Sequence, residues 1–242
     1  MNRGAPTGPH FFVAPQDVDG GRALLSGADA RHLVTVLRAR PGTLVSLADG
    51  TGALYQACVR DRGEQVELTV EWSTDARRNE PLLTVVHALP KGRKLDEVVQ
   101  RLSEIGVERI IPVHSQRSEV QLAGDRAERA ATRWRAVALA AAKQSRRARV
   151  LEVSPVGQWG TSFPPGSTGV VLWEEAETPL RDVLPLGVDT LVLGIGPEGG
   201  LTKEEVDLTG LPTASLGPTI LRTETAALVA SAAVLTLMGR LG

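Results

Sequence analysis

Two short segments near the C-terminal end carry residue types able to do chemistry. The first is Leu193-Gly194-Ile195-Gly196-Pro197-Glu198-Gly199-Gly200-Leu201. The second is Leu216-Gly217-Pro218-Thr219-Ile220-Leu221-Arg222-Thr223-Glu224-Thr225-Ala226. Each follows an apolar, strand-like run and precedes a helix start. Glycine lets main chain approach a ligand where a Cβ would clash, and proline restricts a loop before anything binds, so less entropy is lost on binding. The pair reads as a pocket of main-chain N–H and C=O groups with Arg222 at its edge. Arg222 either stabilises charge in a reaction, clamps a phosphate, or pairs with Glu198 or Glu224; the sequence leaves these open.

Gly194-Ile195-Gly196-Pro197-Glu198-Gly199 formally matches G-x-G-x-x-G. A dinucleotide site needs its helix to begin inside that motif, so that the N-terminus meets a pyrophosphate. Here Thr202 caps the helix only after the last glycine. The acid expected on the next strand is missing too, since that strand reads Ala214-Ser215-Leu216. A P-loop is excluded, because no Gly-Lys-Ser/Thr follows the glycines.

The elements that position these loops show in the periodicity. Residues 1–73 read as a small β-barrel-like module. Its strands are Phe11-Phe12-Val13, Leu44–Leu47, Tyr55–Val59 and Val66–Val70, with turns at Pro41-Gly42, Asp49-Gly50 and Arg62-Gly63 and a short helix around Asp29–Leu37. A polar linker follows at 74–81. From 82 to 242 strands and helices alternate. Leu83–Leu89, Arg109–Val113, Gly169–Trp173 and Thr190–Leu193 suit a buried parallel sheet. Leu95, Val98, Val99, Leu102 and Ile105 fall at helical spacing, with Gly106 at the helix end. Thr202 and Glu205 form a capping box. The last helix, about Glu224–Met238, is apolar on nearly every face, which predicts burial on all sides between the sheet and a second subunit.

Global charge says little about partners: 27 Lys and Arg stand against 28 Asp and Glu. Local charge says more. Arg126, Arg129, Arg133, Arg135, Lys143, Arg146, Arg147 and Arg149 face only Asp125 and Glu128 over one stretch, the footprint of a polyanion-binding face. A lone Cys58 rules out an intrachain disulfide and a cysteine metal cluster, and four histidines without ligand spacing suggest no metal. No apolar run approaches the ~18 residues of a membrane span. The short polar N-terminus has no signal core, so a cytoplasmic location is expected.

The two glycine segments, GPEGGLTKEE and LGPTILRTETAAL, resemble the RsmE family of 16S rRNA (uracil-N3) methyltransferases within the SPOUT superfamily. The likeness extends to His10-Phe11-Phe12-Val13, His32-Leu33, Val36-Leu37-Arg38 and Asp49-Gly50 near the start. It continues at Lys91-Gly92, Glu104, Gly106-Val107, Arg117-Ser118, Trp134 and Gln144-Ser145 with Arg147. The chain departs from the family pattern at Lys143, where Glu is usual, and at Arg101, Gln116 and Leu151.

The resemblance implies an α/β SPOUT fold with a C-terminal trefoil knot, preceded by a PUA-like β-barrel that binds RNA. It implies S-adenosylmethionine held by three loops. Their residues would be Leu172, Trp173 and Glu174; Leu193, Gly194, Gly196, Pro197, Glu198 and Gly199; and Leu216, Gly217, Ile220, Leu221, Arg222 and Thr225. The reaction would be methylation of N3 of one uridine, 1498 in the usual numbering, of 16S rRNA in the small ribosomal subunit. A different RNA target, a tRNA base or a ribose 2′-hydroxyl, is the alternative. Arg222 would stabilise charge on the uracil, and Glu198 is the other candidate catalytic residue. Arg38, Lys91, Arg93, Lys94, Arg117, Arg146 and Arg147 would contact RNA. A homodimer is expected, with no metal and no membrane.

Overall fold

The computed structural model describes residues 4–75 and 82–241. The chain forms two compact units, Met1–Arg78 with Ala142–Val150, and Asn79–Ala141 with Leu151–Gly242. Of the linker expected at 74–81, residues 76–81 lie outside the described residues, and Thr74 and Asp75 complete a strand.

The first unit holds strands β1 (His10–Phe12), β2 (Val18–Asp19), β3 (Arg22–Leu25), β4 (Leu44–Ala48), β5 (Ala53–Arg62) and β6 (Val66–Asp75), with helix α1 (Gly27–Arg31) continued by a π-turn at His32–Val36. They form one sheet in the order β1-β4-β5-β6-β3-β2, antiparallel except for β1 on β4. In β6, Val66 and Leu68 are buried while Glu67 and Thr69 are exposed, the period of two that sets strand register. Register shifts at Gln56/Ala57 and Val59/Asp61 mark bulges between β5 and β6, which bend and coil a sheet. Phe11, Leu25, Leu33, Val45, Leu47 and Leu68 fill the core beneath it. Strands β2 and β3 were not anticipated, because Gly20-Gly21 between them reads as loop.

Ala142–Val150 belongs to this unit, although the sequence boundary puts it with the C-terminal half. Polar contacts explain why. Lys143 Nζ lies 2.8 Å from both Asp29 carboxylate oxygens. His10 Nε2 donates to the Arg147 carbonyl at 3.0 Å, leaving Nδ1 to accept from the Ser46 hydroxyl at 2.8 Å. Burial lowers the His10 pKa and outweighs the Arg147 carbonyl bond, so the ring is neutral at pH 7.

The second unit contains β7 (Leu82–Ala88), α2 (Lys94–Ile105), β8 (Arg109–His114), α3 (Gly124–Gln144, whose last turn counts with the first unit), β9 (Glu152–Val153), β10 (Gly157–Gln158), β11 (Gly169–Leu172), α4 (Leu180–Val183), β12 (Thr190–Ile195), α5 (Lys203–Thr209), β13 (Thr213–Ala214) and α6 (Thr223–Leu237). The sheet order is β10-β8-β7-β12-β11-β13, with β9 also beside β8, and every pairing is parallel. Residues 191–195 and 169–171 are buried without alternation, as a sheet covered on both faces requires. Gly106, at φ 101°, ends α2 in the left-handed conformation that favours glycine.

Helix α6 is covered within the chain on one face only. Ala227, Ala230, Ser231, Val234 and Leu235 are buried, and α6 packs on α2, β7 and β12. Its other face is open, with Val229 at 41% and Leu237 at 50% exposure. An apolar composition alone cannot separate a face buried within one chain from a face left for a partner.

The capping box at α5 is complete: Thr202 Oγ1 accepts from Glu205 N–H at 3.2 Å, and Glu205 Oε2 accepts from Thr202 N–H at 3.1 Å. Glu205 is buried, and its Oε1 also accepts from Gln116 N–H at 2.7 Å. Thr202→Ala should therefore cost ~1 kcal/mol. Glu205→Ala strands two main-chain donors and should cost roughly 2–4 kcal/mol. Thermal melts that show equal losses would contradict this division of roles.

Candidate active site

In a parallel sheet the loops beyond the carboxyl ends of the strands share one edge, and ligands bind there. Adjacent strands β12, β11 and β13 end at Ile195, Leu172 and Ala214, so the three loops that follow are set side by side. They enclose a cavity of about 520 Å³, lined by Leu172–Glu174, Ile195–Gly200, Ala214–Thr223 and Ala226.

Most residues singled out from the sequence line this cavity: Leu172, Trp173, Glu174, Gly196, Pro197, Glu198, Gly199, Leu216, Gly217, Ile220, Leu221 and Arg222. Three do not. Leu193 is wholly buried within β12. Gly194 also lies in β12, and a Cβ there would meet Val171, Phe163 and Trp159 in the core. Thr225 is exposed on α6, and the next residue, Ala226, lines the cavity in its place. The motif's start lies inside the strand, and strand and loop run on without a break in composition. Sequence reasoning also missed Ser215 and Thr223. Thr223 Oγ1 donates to the Gly196 carbonyl at 2.6 Å, stitching the start of α6 to the first glycine loop. The Arg-Thr-Glu-Thr run carried that signal.

The first glycine loop is held from several sides. Arg117 Nη1 donates to the Gly199 carbonyl at 3.1 Å. Gly200 has φ 72°, and a Cβ on it would run into the Glu174 carboxylate. Lys94, at the start of α2, places Nζ 2.8 Å from Glu198 Oε1 and 3.4 Å from Glu224 Oε2. Lys91 N–H points at the same Glu198 carboxylate, at 3.2 and 3.3 Å. Burial pushes the Glu198 pKa up, but hydrogen bonds from Lys94 and main-chain N–H groups outweigh it and hold the carboxyl below its usual range. The Lys94 ammonium is held above its usual range, chiefly by the Glu198 bond. His87, fully buried at the end of β7, is kept neutral by burial and contacts the Ala88 carbonyl through Nδ1 at 2.6 Å.

These contacts bear on both Arg222 and Glu198. Glu198 and Glu224 are taken by Lys94, so neither pairs with Arg222; its guanidinium is exposed at the cavity wall with no ion pair among the described residues. Glu198 is a poor base, because a carboxylate stabilised by a cation gives up that stabilisation when it takes a proton. Through Lys94 Nζ and Lys91 N–H it ties the first glycine loop to the start of α2.

The residues expected to touch RNA scatter. Lys94 and Arg117 anchor the glycine loop, and Lys91 Nζ pairs with Glu119 at 2.7 Å. Arg93 pairs with Asp96 at 3.1 Å beside a second cavity. Arg38 and Arg146 are exposed, at φ 52° and 54°, and the Arg147 carbonyl is engaged by His10. No group of His, Cys, Asp or Glu among the described residues could hold a metal ion, and no described helix is long and apolar enough to cross a membrane.

Comparison with known proteins agrees with this architecture. Residues 78–235 match an RNA methyltransferase domain and residues 25–71 an RNA methyltransferase PUA domain. The chain is 34% identical to ribosomal RNA small subunit methyltransferase E of Mycobacterium tuberculosis, over 95% of this chain and 92% of that one. It is 33% identical to the Bacillus subtilis protein of the same name, over 87% and 88%. A crystal structure of the Neisseria gonorrhoeae enzyme bound to S-adenosyl methionine superposes with a TM-score of 0.84 at 30% identity, covering 95% of this chain and 97% of that one. On these matches and the loop geometry, the chain belongs to the ribosomal RNA small subunit methyltransferase E family.

Proposed function

We infer that this protein transfers a methyl group from S-adenosylmethionine to N3 of one uridine of 16S rRNA, uridine 1498 in the usual numbering, within the small ribosomal subunit. The cavity made by three strand-end loops carries the reading. Gly196, Gly199 and Gly200 line the cavity and, lacking a Cβ, let the loop pack closely on Leu201, Arg117 and Glu174, while Ile220, an apolar side chain 93% exposed on the second glycine loop, gives the cavity an apolar wall. This suits a molecule with an apolar side and several main-chain-sized hydrogen-bonding groups. Leu172, Trp173, Gly196, Pro197, Gly199, Leu216, Ile220 and Leu221 would hold it.

When bound, S-adenosylmethionine supplies an already activated methyl group, so no metal or covalent nucleophile is needed. The chain's task is to align the acceptor and help it lose a proton. As N3 is deprotonated, negative charge spreads over O2 and O4 of the uracil. The Arg222 guanidinium, at the cavity wall with no ion pair among the described residues, stabilises that charge more in the transition state than in the ground state. Glu198 serves by position: it fixes the loop through Lys94.

The finer fold follows the same reading. Threading of the C-terminal part into a knot is supported by β12 lying between β7 and β11 while α6 returns onto β7 and α2. The bulged six-stranded sheet supports a PUA-like barrel in the first unit. The open apolar face of α6 supports a homodimer. A ribosomal substrate supports a cytoplasmic location.

Arg222→Ala should bind S-adenosylmethionine normally by calorimetry and lose ~10²–10³-fold in turnover; turnover near the parent's would remove Arg222 from that role. Absence of binding heat with the parent protein would overturn the cofactor assignment. Lys94→Met should weaken cofactor binding at least tenfold by releasing Glu198, and unchanged affinity would show that the loop stands without it. Val229→Asp with Leu237→Asp should halve the mass in light scattering, whereas an already monomeric parent would defeat the dimer.

A further inference from the structure

A second cavity lies in the same unit and shares no lining residue with the first. Its volume is about 340 Å³. The floor is apolar: Leu89, Leu95, Val120, Leu122, Ala130 and the buried Trp134. The wall is cationic. Arg126, Arg129 and Arg133 come from one face of α3, at the helical spacing that puts side chains together, and Arg93 reaches in from the start of α2. Asp96 is the one carboxylate in the lining, and it is saturated. It accepts from Arg133 Nε at 3.0 Å, Trp134 Nε1 at 3.0 Å and Arg93 Nε at 3.1 Å. That network fixes two guanidiniums and the indole in place. The guanidiniums of Arg126 and Arg129 have no ion pair among the described residues. Four cations thus face one anion over an apolar floor.

An unneutralised guanidinium cluster beside apolar surface is a site for a ligand with a phosphate at one end and a flat, weakly polar body at the other. We propose that this cavity takes one unstacked nucleotide of the RNA strand, distinct from the one methylated. Its phosphate lies on Arg126 and Arg129, and its base or sugar covers the Leu89–Val120–Leu122 floor. The pocket would fix the strand's register so that a single uridine reaches Arg222. This rests on the RNA methyltransferase reading and adds a binding site to it. Single-stranded RNA is recognised through such splayed nucleotides.

The test uses the full protein with S-adenosylmethionine and small ribosomal subunits. Arg126→Gln with Arg129→Gln should raise KM for the subunit at least tenfold. It should leave cofactor affinity unchanged by calorimetry and flatten the salt dependence of RNA binding by about one unit of log–log slope. Val120→Trp fills the floor on a loop without altering charge, so it should raise KM similarly at an unchanged salt slope. Arg181→Gln, at an exposed position outside the cavity, should change neither. An unaltered KM in the double variant overturns the pocket. A normal Val120→Trp would also overturn it, since the arginines would then serve only a strand crossing the surface. A parent protein that methylates no subunit at all would instead sink the underlying activity.

Discussion

One ammonium group holds the site together. Lys94 opens α2, yet its Nζ bridges Glu198 in the first glycine loop and Glu224 in the first turn of α6. Three elements far apart in sequence converge on it. With Thr223 bonded to the Gly196 carbonyl and Arg117 to the Gly199 carbonyl, it fixes a loop whose glycines would otherwise leave it loose. A main-chain cradle binds well only if its shape exists before the ligand arrives. By pairing with both nearby carboxylates, Lys94 also leaves Arg222 without an ion pair among the described residues, as the charge-stabilising role proposed for it requires.

Much of this was legible in the sequence. Unbroken apolar runs such as Thr190–Leu193 signalled a covered parallel sheet, Gly106 marked the end of α2, and Thr202 with Glu205 announced the start of α5. In each case the local physics and the fold demand the same residue. The glycine motifs located the cavity to within a residue or two at its edges. What stayed hidden was long-range. Nothing near Lys94 in sequence tells that its partners lie at 198 and 224, so it read as one more basic residue for RNA. Lys143 looked like part of a polyanion-binding block, but its charge is spent on Asp29.

The basic block therefore has two jobs. Lys143 and the Arg147 carbonyl join the first unit, where Asp29 and His10 receive them. Arg126, Arg129 and Arg133, about three to five turns before Lys143 on α3, surround an apolar floor. Counting charge along a helix treats these arginines alike. Which of them is free for a ligand depends on what the fold places opposite, and Asp96 shows how one carboxylate can organise a cationic wall rather than cancel it.

The central claim is that three strand-end loops present a methyl donor to one uracil nitrogen beside Arg222. The most direct measurement incubates the purified protein with S-adenosylmethionine and small ribosomal subunits lacking the modification, then maps methylated nucleotides in the rRNA by mass spectrometry. The account predicts a single new methyl group, on N3 of one uridine. A methyl group on a ribose hydroxyl, or none at all, would contradict it.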